Sequence, residues 1–292
     1  MKIIIYGHAG WIGGKVVKLL SDHTIILGNR AENVERDIQL HHPTHVMSFI
    51  GRTHGKIGDT VFPTIDYLEQ PGKLRENVGD NLFAPTTLAI ICSKYGVHLT
   101  YLGTGCIFDY DHDHTTTSDG FTEDDVPNFF GSSYSIVKGY TDRLMHLFDN
   151  VLNVRIRMPI TDEVHSRNFI TKIVTYATKG KVCSIPNSMT VLDDLLPMMI
   201  DMAMKKVTGT INLVNPGLIS HNEILEMYRE IIDPALTWKN FSIEEQSKVL
   251  AAGRSNNLLD THKLEASYQD HVMPITDAVR ACLLRMSAAI VI

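Results

Sequence analysis

The sequence predicts an α/β protein built on a doubly wound parallel sheet. Three observations carry that reading. The chain opens on a short apolar run, Ile3-Ile4-Ile5-Tyr6, that passes straight into the glycine-rich turn Gly7-His8-Ala9-Gly10-Trp11-Ile12-Gly13-Gly14. Its apolar runs are short and continuous rather than alternating, as in parallel strands buried on both faces. These runs alternate with stretches of helical spacing, the order that builds a sheet flanked by helices.

The elements follow in order. After the first strand, Ile12, Val16, Leu19 and Leu20 keep helical spacing from Trp11 to Leu20. A strand, a glycine turn and a helix form a pyrophosphate cradle. Glycine lets the backbone approach the phosphates, and the helix N-terminus offers unpaired N–H groups and a partial positive charge. The spacing Gly7-x-x-Gly10-x-x-Gly13 differs from the ordinary G-x-G-x-x-G, but its place directly after a strand marks a cofactor turn. A second strand, Thr24 to Leu27, ends at Gly28-Asn29-Arg30. An acidic residue there would bind a ribose 2′-hydroxyl; Arg30 instead suits a 2′-phosphate and points to NADP(H). Asp37-Ile38 lies just beyond. The candidate cofactor site is therefore Gly7, Gly10, Trp11, Ile12, Gly13, Asn29, Arg30, Asp37 and Ile38, with Tyr134 and Lys138 from later in the chain.

A third strand spans residues 44–50, a helical pattern runs from about Lys73 to Tyr95, and another strand runs from Val97 to Leu102. That strand ends at Gly103-Thr104-Gly105-Cys106-Ile107-Phe108. Chemistry in open α/β sheets gathers at the carboxyl ends of strands, which places Thr104 to hydrogen-bond a carbonyl oxygen. Tyr134 and Lys138 stand four apart in Gly131-Ser132-Ser133-Tyr134-Ser135-Ile136-Val137-Lys138. On a helix they share a face, and an ammonium beside a phenol favours its ionised form. That is the working pair of a nicotinamide-dependent ketone reductase. A strand from Val151 to Arg157 follows. We divide the chain into a dinucleotide-binding domain at residues 1–160 and a smaller mixed substrate-binding lobe at 161–292, some of whose segments return to the sheet. In the lobe, Val191 to Pro197 begins a helix, and Ser220 with Glu223 forms a helix-capping pattern.

Composition excludes other classes. The 292 residues are 44% hydrophobic and 21% charged, with a net charge of −6 and no run of lysine and arginine, so nucleic acid is not the partner. No apolar stretch has the length of a membrane span, and the N-terminus reads as a strand rather than a signal peptide, so a cytoplasmic protein is expected. Cys92, Cys106, Cys183 and Cys282 form no C-x-x-C pair and suggest neither disulfides nor zinc. No metal site is expected. Pro43 breaks the helix that would aim His41 and His45 at one ion, and His112 and His114 read as solvated loop residues.

Together, Gly7-x-x-Gly10-x-x-Gly13, Thr104 and Tyr134-x-x-x-Lys138 resemble the extended short-chain dehydrogenase/reductases that act on nucleotide sugars. The nearest branch is similar to the bifunctional nucleotide-rhamnose synthases, UDP-4-keto-6-deoxy-D-glucose 3,5-epimerase/4-reductases, which are related to dTDP-4-dehydrorhamnose reductase. The likeness covers nearly the whole chain. It is carried by residues 6–14, 103–108, 157–160, 167–172, 185–191 and 254–257, and it departs at Gly51-Arg52-Thr53-His54-Gly55.

The resemblance implies a Rossmann-type fold and a two-stage reaction. Cys106 and Lys172 would invert the carbons beside a 4-keto group from opposite faces, since thiols and buried lysines exchange protons near neutrality. Thr104 and Tyr134 would serve the ketone oxygen, and Lys138 the cofactor ribose. Asn168 and Arg254 would meet the diphosphate and ribose, and Asn187, Met189 and Val191 would border the uracil. Asn257 completes the candidate substrate set. The substrate expected by resemblance is UDP-4-keto-6-deoxyglucose, the product UDP-L-rhamnose, and the assembly a homodimer with no surface assigned. Two alternatives stand beside this: a monofunctional dTDP/UDP-4-dehydrorhamnose reductase, and a non-catalytic dinucleotide-binding regulatory subunit.

Overall fold

In a computed structural model of the chain, which describes residues 1–290, the expected alternation of strands and helices forms. β1 (Lys2–Tyr6) leads through the glycine turn into α1 (Trp11–Leu19), then β2 (Thr24–Gly28), α2 (Val34–His41) and β3 (His45–Ser48). An antiparallel ribbon follows, β4 (Gly55–Ile57) and β5 (Thr60–Phe62). Next come α3 (Leu74–Val78), a π-helical turn at Gly79–Phe83, α4 (Ala84–Lys94), β6 (His98–Thr104), α5 (Ser133–Met145) and β7 (Val151–Ile156). The remaining elements are α6 (Phe169–Ala177), α7 (Leu192–Met204), β8 (Gly209–Asn212), α8 (His221–Ile231), α9 (Ile243–Ser247), α10 (His262–Tyr268) and α11 (Ile275–Ile290).

Six strands form one sheet in the order β2-β1-β3-β6-β7-β8. β1 lies parallel between β2 and β3, with Ile4 opposite both Ile26 and Val46, and β3 is parallel to β6. The order reverses at β1, so the turn leaving β1 sits at a topological switch point, where such sheets bind ligands. Every residue of β3 and of β7 is buried, including the polar His45, Ser48, Asn153 and Arg155.

The chain divides into two compact units. The first comprises Met1–Ile107, Val126–Arg155 and Leu196–Ile211; the second comprises Phe108–Asp125, Ile156–Leu195 and the chain from Asn212 onward. Residues 196–211 return to the first unit, whereas 108–125 belong to the second, where Phe108 stacks on Phe121 and Phe121 pairs with Leu259. The first unit's core includes Ile4, Tyr6, Val46, Leu88, Leu99 and Tyr101. The second's includes Ile160, Ile170, Met189, Ile219, Val279 and Leu283.

Two expectations need correction. The helix expected from Lys73 to Tyr95 is interrupted at Gly79–Phe83. There the Thr141 hydroxyl donates to the Asn81 carbonyl at 2.6 Å, and the Asn81 amide bonds the backbone of Arg52 in both directions. Side chains that take helix groups in this way open the regular ladder. Second, His114 is not a solvated loop histidine: it stacks on Phe121 with ring centres 3.8 Å apart.

Candidate active site

The first unit builds a dinucleotide cradle. Gly7 adopts φ +77°, and a Cβ there would lie 2.6 Å from the Phe49 carbonyl carbon. A Cβ on Gly13 would lie 2.3 Å from the Gly7 carbonyl oxygen, so α1 can start this close to β1 only without side chains at both positions. Gly10 caps α1 with no side-chain hydrogen bond, at the helix end whose N–H groups and partial positive charge favour an anion. The cradle therefore fits a pyrophosphate. Trp11 and Ile12 open the same helix and are half-buried. Asn29 and Arg30 are exposed just past the end of β2. Asp37 and Ile38 lie on α2, and the structure gives both side chains work within the fold. Asp37 accepts a hydrogen bond from the Tyr6 hydroxyl at 2.7 Å, and Ile38 is buried in the core.

The same unit gathers the candidate reductase residues. Ser132 caps α5 by accepting the Ser135 N–H, and the Ser135 hydroxyl donates to the Cys106 carbonyl at 2.8 Å. The start of α5 is thus tied to the turn that follows β6. Tyr134 is buried in a small apolar cluster with Tyr67 and Leu68, against which Cys106 packs half-buried. The Cys106 N–H donates to the Thr104 hydroxyl oxygen at 3.1 Å, so the Thr104 oxygen accepts while its hydrogen is left to donate.

Lys138, one turn beyond Tyr134, is 4% exposed. Its ammonium donates to the Tyr101 hydroxyl and stands 4.6 Å from the centre of that ring. Burial lowers the Lys138 pKa to about 8, opposed by Asp142 and Cys106. Burial acts the other way on the Tyr101 phenol, raising its pKa well above the ordinary value, with Tyr134 and Asp142 adding to the effect.

The second unit holds the remaining candidates. Lys172 on α6 is half-buried, and burial, then Arg167 and Arg254, lower its pKa to about 8. These three cations form the unit's candidate anion site. Five residues assigned to the substrate from sequence carry structural roles here. Asn168 caps α6 and is wholly buried: its oxygen accepts the Ile170 N–H, and its amide donates to the Thr161 and Glu163 carbonyls. The Asn187 oxygen accepts from Arg157 at 2.6 Å and from the Asn257 N–H at 2.9 Å, while its amide reaches Ile185 and Asn256. Both amides are spent on the scaffold. Met189 and Val191 have side chains buried in the unit's core. Asn257, also buried, donates to the Phe108 carbonyl and the Ser255 hydroxyl, which makes it a strut of the same network.

Comparison with known proteins decides the family. The chain is 56% identical to the L780 protein of Acanthamoeba polyphaga mimivirus over 98% of its own length and 99% of that protein's. The crystal structure of the L780 UDP-rhamnose synthase superposes with a TM-score of 0.92 at 55% identity, covering 98% of this chain and 99% of that one. A bifunctional dTDP-4-dehydrorhamnose 3,5-epimerase/reductase of Arabidopsis thaliana is 45% identical over 91% of this chain and 87% of its own. The chain belongs to the family of nucleotide-rhamnose synthases. No protein-family model matches the sequence. A dTDP-4-dehydrorhamnose reductase from Bacillus anthracis, in complex with NADP, shares the fold at a TM-score of 0.76 and 17% identity, covering 97% of this chain and 98% of that one.

Within this rhamnose-synthase framework, three contributors escaped sequence reading. Tyr67 lies in the stretch after Gly51-Gly55 that sequence reading left without structure. It packs on Tyr134, and its hydroxyl donates to Glu76 at 2.6 Å. Arg157 is 1% exposed and ties the Asn187 loop to Ser255, donating to the Ser255 hydroxyl at 2.8 Å. Arg167 joins the Lys172 cluster. Its only signal in the sequence was its place in the string from Arg167 to Lys172.

Proposed function

We propose that this protein converts UDP-4-keto-6-deoxy-D-glucose to UDP-L-rhamnose, by epimerisation at C3 and C5 and then reduction at C4 with NADPH. The observation that carries it is Cys106, a candidate proton-transfer group, packed within one unit against the reductase tyrosine and bonded to Thr104. Preference for UDP is supported by the higher identity to L780 than to the dTDP-named plant relative. Preference for NADPH is supported by Arg30, an exposed cation at the end of β2 with no acidic residue in its place.

The 4-keto group acidifies the hydrogens at C3 and C5. Thr104 donates its hydroxyl hydrogen to the ketone oxygen, and Tyr134 is the second donor, so charge building on that oxygen as the enolate forms is met by groups already in place. Cys106 removes or returns a proton at the ring carbon, and Lys172 is the candidate for the second proton transfer that inversion requires. With a pKa near 8, Lys172 populates both protonation states close to neutrality. When bound, the nicotinamide supplies hydride to C4. Tyr134 then gives its proton to the oxygen, and Lys138 stabilises the phenolate and holds the cofactor ribose. Arg167 and Arg254 hold the diphosphate through guanidinium hydrogen bonds. A doubly charged nucleotide sugar does not cross bilayers, which supports a cytoplasmic enzyme. No helix among the described residues is long and apolar enough to span a membrane. We expect a homodimer, which sedimentation equilibrium reads directly.

Purified protein, NADPH and UDP-4-keto-6-deoxyglucose are combined in D₂O, and the product is identified by NMR. UDP-L-rhamnose deuterated at C3 and C5 is the expected product. NADPH consumption only after a separate epimerase is added would sink the bifunctional reading. In Cys106→Ala, deuterium exchange is lost while NADPH binding persists. In Tyr134→Phe, reduction falls by about 10²–10⁴-fold, the range for a lost general acid.

A further inference from the structure

Lys138 is held by a group that the reaction itself does not consume. Tyr101 stands on β6 three residues before Thr104, is 1% exposed, and accepts a hydrogen bond from the Lys138 ammonium. A phenylalanine would fill the same space. What the hydroxyl adds is an acceptor inside a buried apolar core, where a polar atom is tolerated only when partnered. The ring adds its face, 4.6 Å from the ammonium nitrogen.

The charged groups around Lys138 leave this acceptor distinctive. Along α5 they are Tyr134, Asp142 and His146, and from the turn after β6 Cys106. Arg155 of β7 binds the Asp142 carboxylate through two hydrogen bonds. On α3 and the π-helical turn, Glu76 pairs with Lys73 and Asp80 with Arg52; Arg75 also belongs to α3. Glu69 binds the Ser133 amide and hydroxyl at the start of α5, and Lys94 at the end of α4 pairs with Glu35. Because the Tyr101 phenol ionises only far above its ordinary range, it remains a neutral acceptor wherever Lys138 is charged.

We propose that Tyr101 is a positioning residue for Lys138, its hydroxyl fixing the ammonium's rotation and keeping it charged before any dinucleotide arrives. An ammonium has three N–H donors; with one spent on Tyr101, two are left for the cofactor ribose and the Tyr134 oxygen. Preorganisation of this kind removes an ordering cost from the binding step. The inference rests on the placement of Lys138 in the proposed site.

Tyr101→Phe is the test, read first in the cofactor-free protein by ¹³C-lysine NMR. Loss of the acceptor destabilises the charged lysine, so the Lys138 titration midpoint falls by about one pH unit, the scale of a hydrogen bond to a charged group. The alkaline limb of kcat/KM for NADPH moves down by a similar amount, and NADPH affinity weakens about tenfold. A residue that only fills the core would lower thermal stability and move neither midpoint. Unmoved midpoints, with Lys138→Met inactive, overturn the role of Tyr101 and leave the proposed site standing. Should the single variant fold poorly, the double variant with Lys138→Met removes both partners and relieves the unpaired charge. Added to Lys138→Met, Tyr101→Phe should change NADPH affinity no further, whereas an additive loss overturns the role. Wild-type reduction by Lys138→Met would overturn the site reading and the Tyr101 role together.

Discussion

Lys172 sits half-buried, and its pKa of about 8 comes first from burial and then from Arg167 and Arg254. The two guanidinium groups act as like charges, disfavouring a third cation. That has a consequence for the order of events. A nucleotide diphosphate bound to the arginines would offset their charge and raise the Lys172 pKa, so the lysine gains proton affinity as substrate arrives. We expect UDP alone to raise the Lys172 titration midpoint, read by ¹³C-lysine NMR. Arg167→Met should raise the midpoint of the free protein by up to about one unit, because one repelling charge is gone, and should weaken UDP binding roughly tenfold. A midpoint that falls in this variant would show that Arg167 does not set the lysine's charge. The cysteine differs in kind. Cys106 is held in place, with its N–H on Thr104 and its carbonyl bound by Ser135, so its backbone is fixed at both ends.

At the scale of elements, α5 carries Tyr134, Lys138 and Asp142 at successive four-residue steps, and the last of these anchors the helix to the sheet. Asp142 accepts from Arg155 Nε at 2.9 Å and Nη2 at 2.7 Å, with Arg155 fully buried on β7, and from Asn153 at 2.7 Å. Burial pushes the Asp142 carboxyl upward, but hydrogen bonds from Arg155 and His146 hold it well below the usual carboxylate range. Asp142→Ala would leave a buried guanidinium without its carboxylate. We expect a loss of about 3–5 kcal/mol in chemical denaturation, with reduction impaired because the helix bearing Tyr134 loses its anchor. A loss below about 1 kcal/mol would show that the pair contributes little. A smaller effect belongs to α8, where Ser220 and Glu223 complete a capping box; Ser220→Ala should cost about 1 kcal/mol.

The same scale shows what could be read in the sequence. The glycine turn, the strand leading to Thr104, the tyrosine helix and the Ser220 cap were legible because each depends on neighbours within one turn of chain. The break between α3 and α4 was not, since it depends on Thr141, 60 residues from Asn81. Tyr67 was missed for the same reason: its burial requires a tyrosine helix more than sixty positions later. Asn168 and Asn187 pass in sequence for loop residues open to a ligand. Only their tertiary partners show that their amides are spent inside the fold.

At the scale of the whole molecule, both units hold histidines in the neutral form, and this sets the response to acid. His45 on β3 is 1% exposed and faces His98 on the neighbouring β6, with ring centres 5.5 Å apart. Burial, then His98 and Lys206, lower the His45 pKa to about 4; burial also lowers that of His98. In the second unit, burial alone takes His221 at the start of α8 to about 4. The folded chain therefore binds fewer protons than the unfolded chain between about pH 6.5 and 4. Stability rises with pH wherever the unfolded state binds more protons, so these contributions are complete above about pH 6.5 and are lost as pH falls toward 4. For His45 the shift corresponds to about 3 kcal/mol. The Asp142 carboxyl adds a loss of the same sign at still lower pH. We expect the melting temperature to fall steeply between pH 6.5 and 4, by calorimetry on the cofactor-free protein. His45→Leu should flatten that fall, because its side chain no longer titrates. A melting temperature level from pH 7 to pH 4, or an equally steep fall in His45→Leu, would show that this imidazole takes up its proton without cost to the fold.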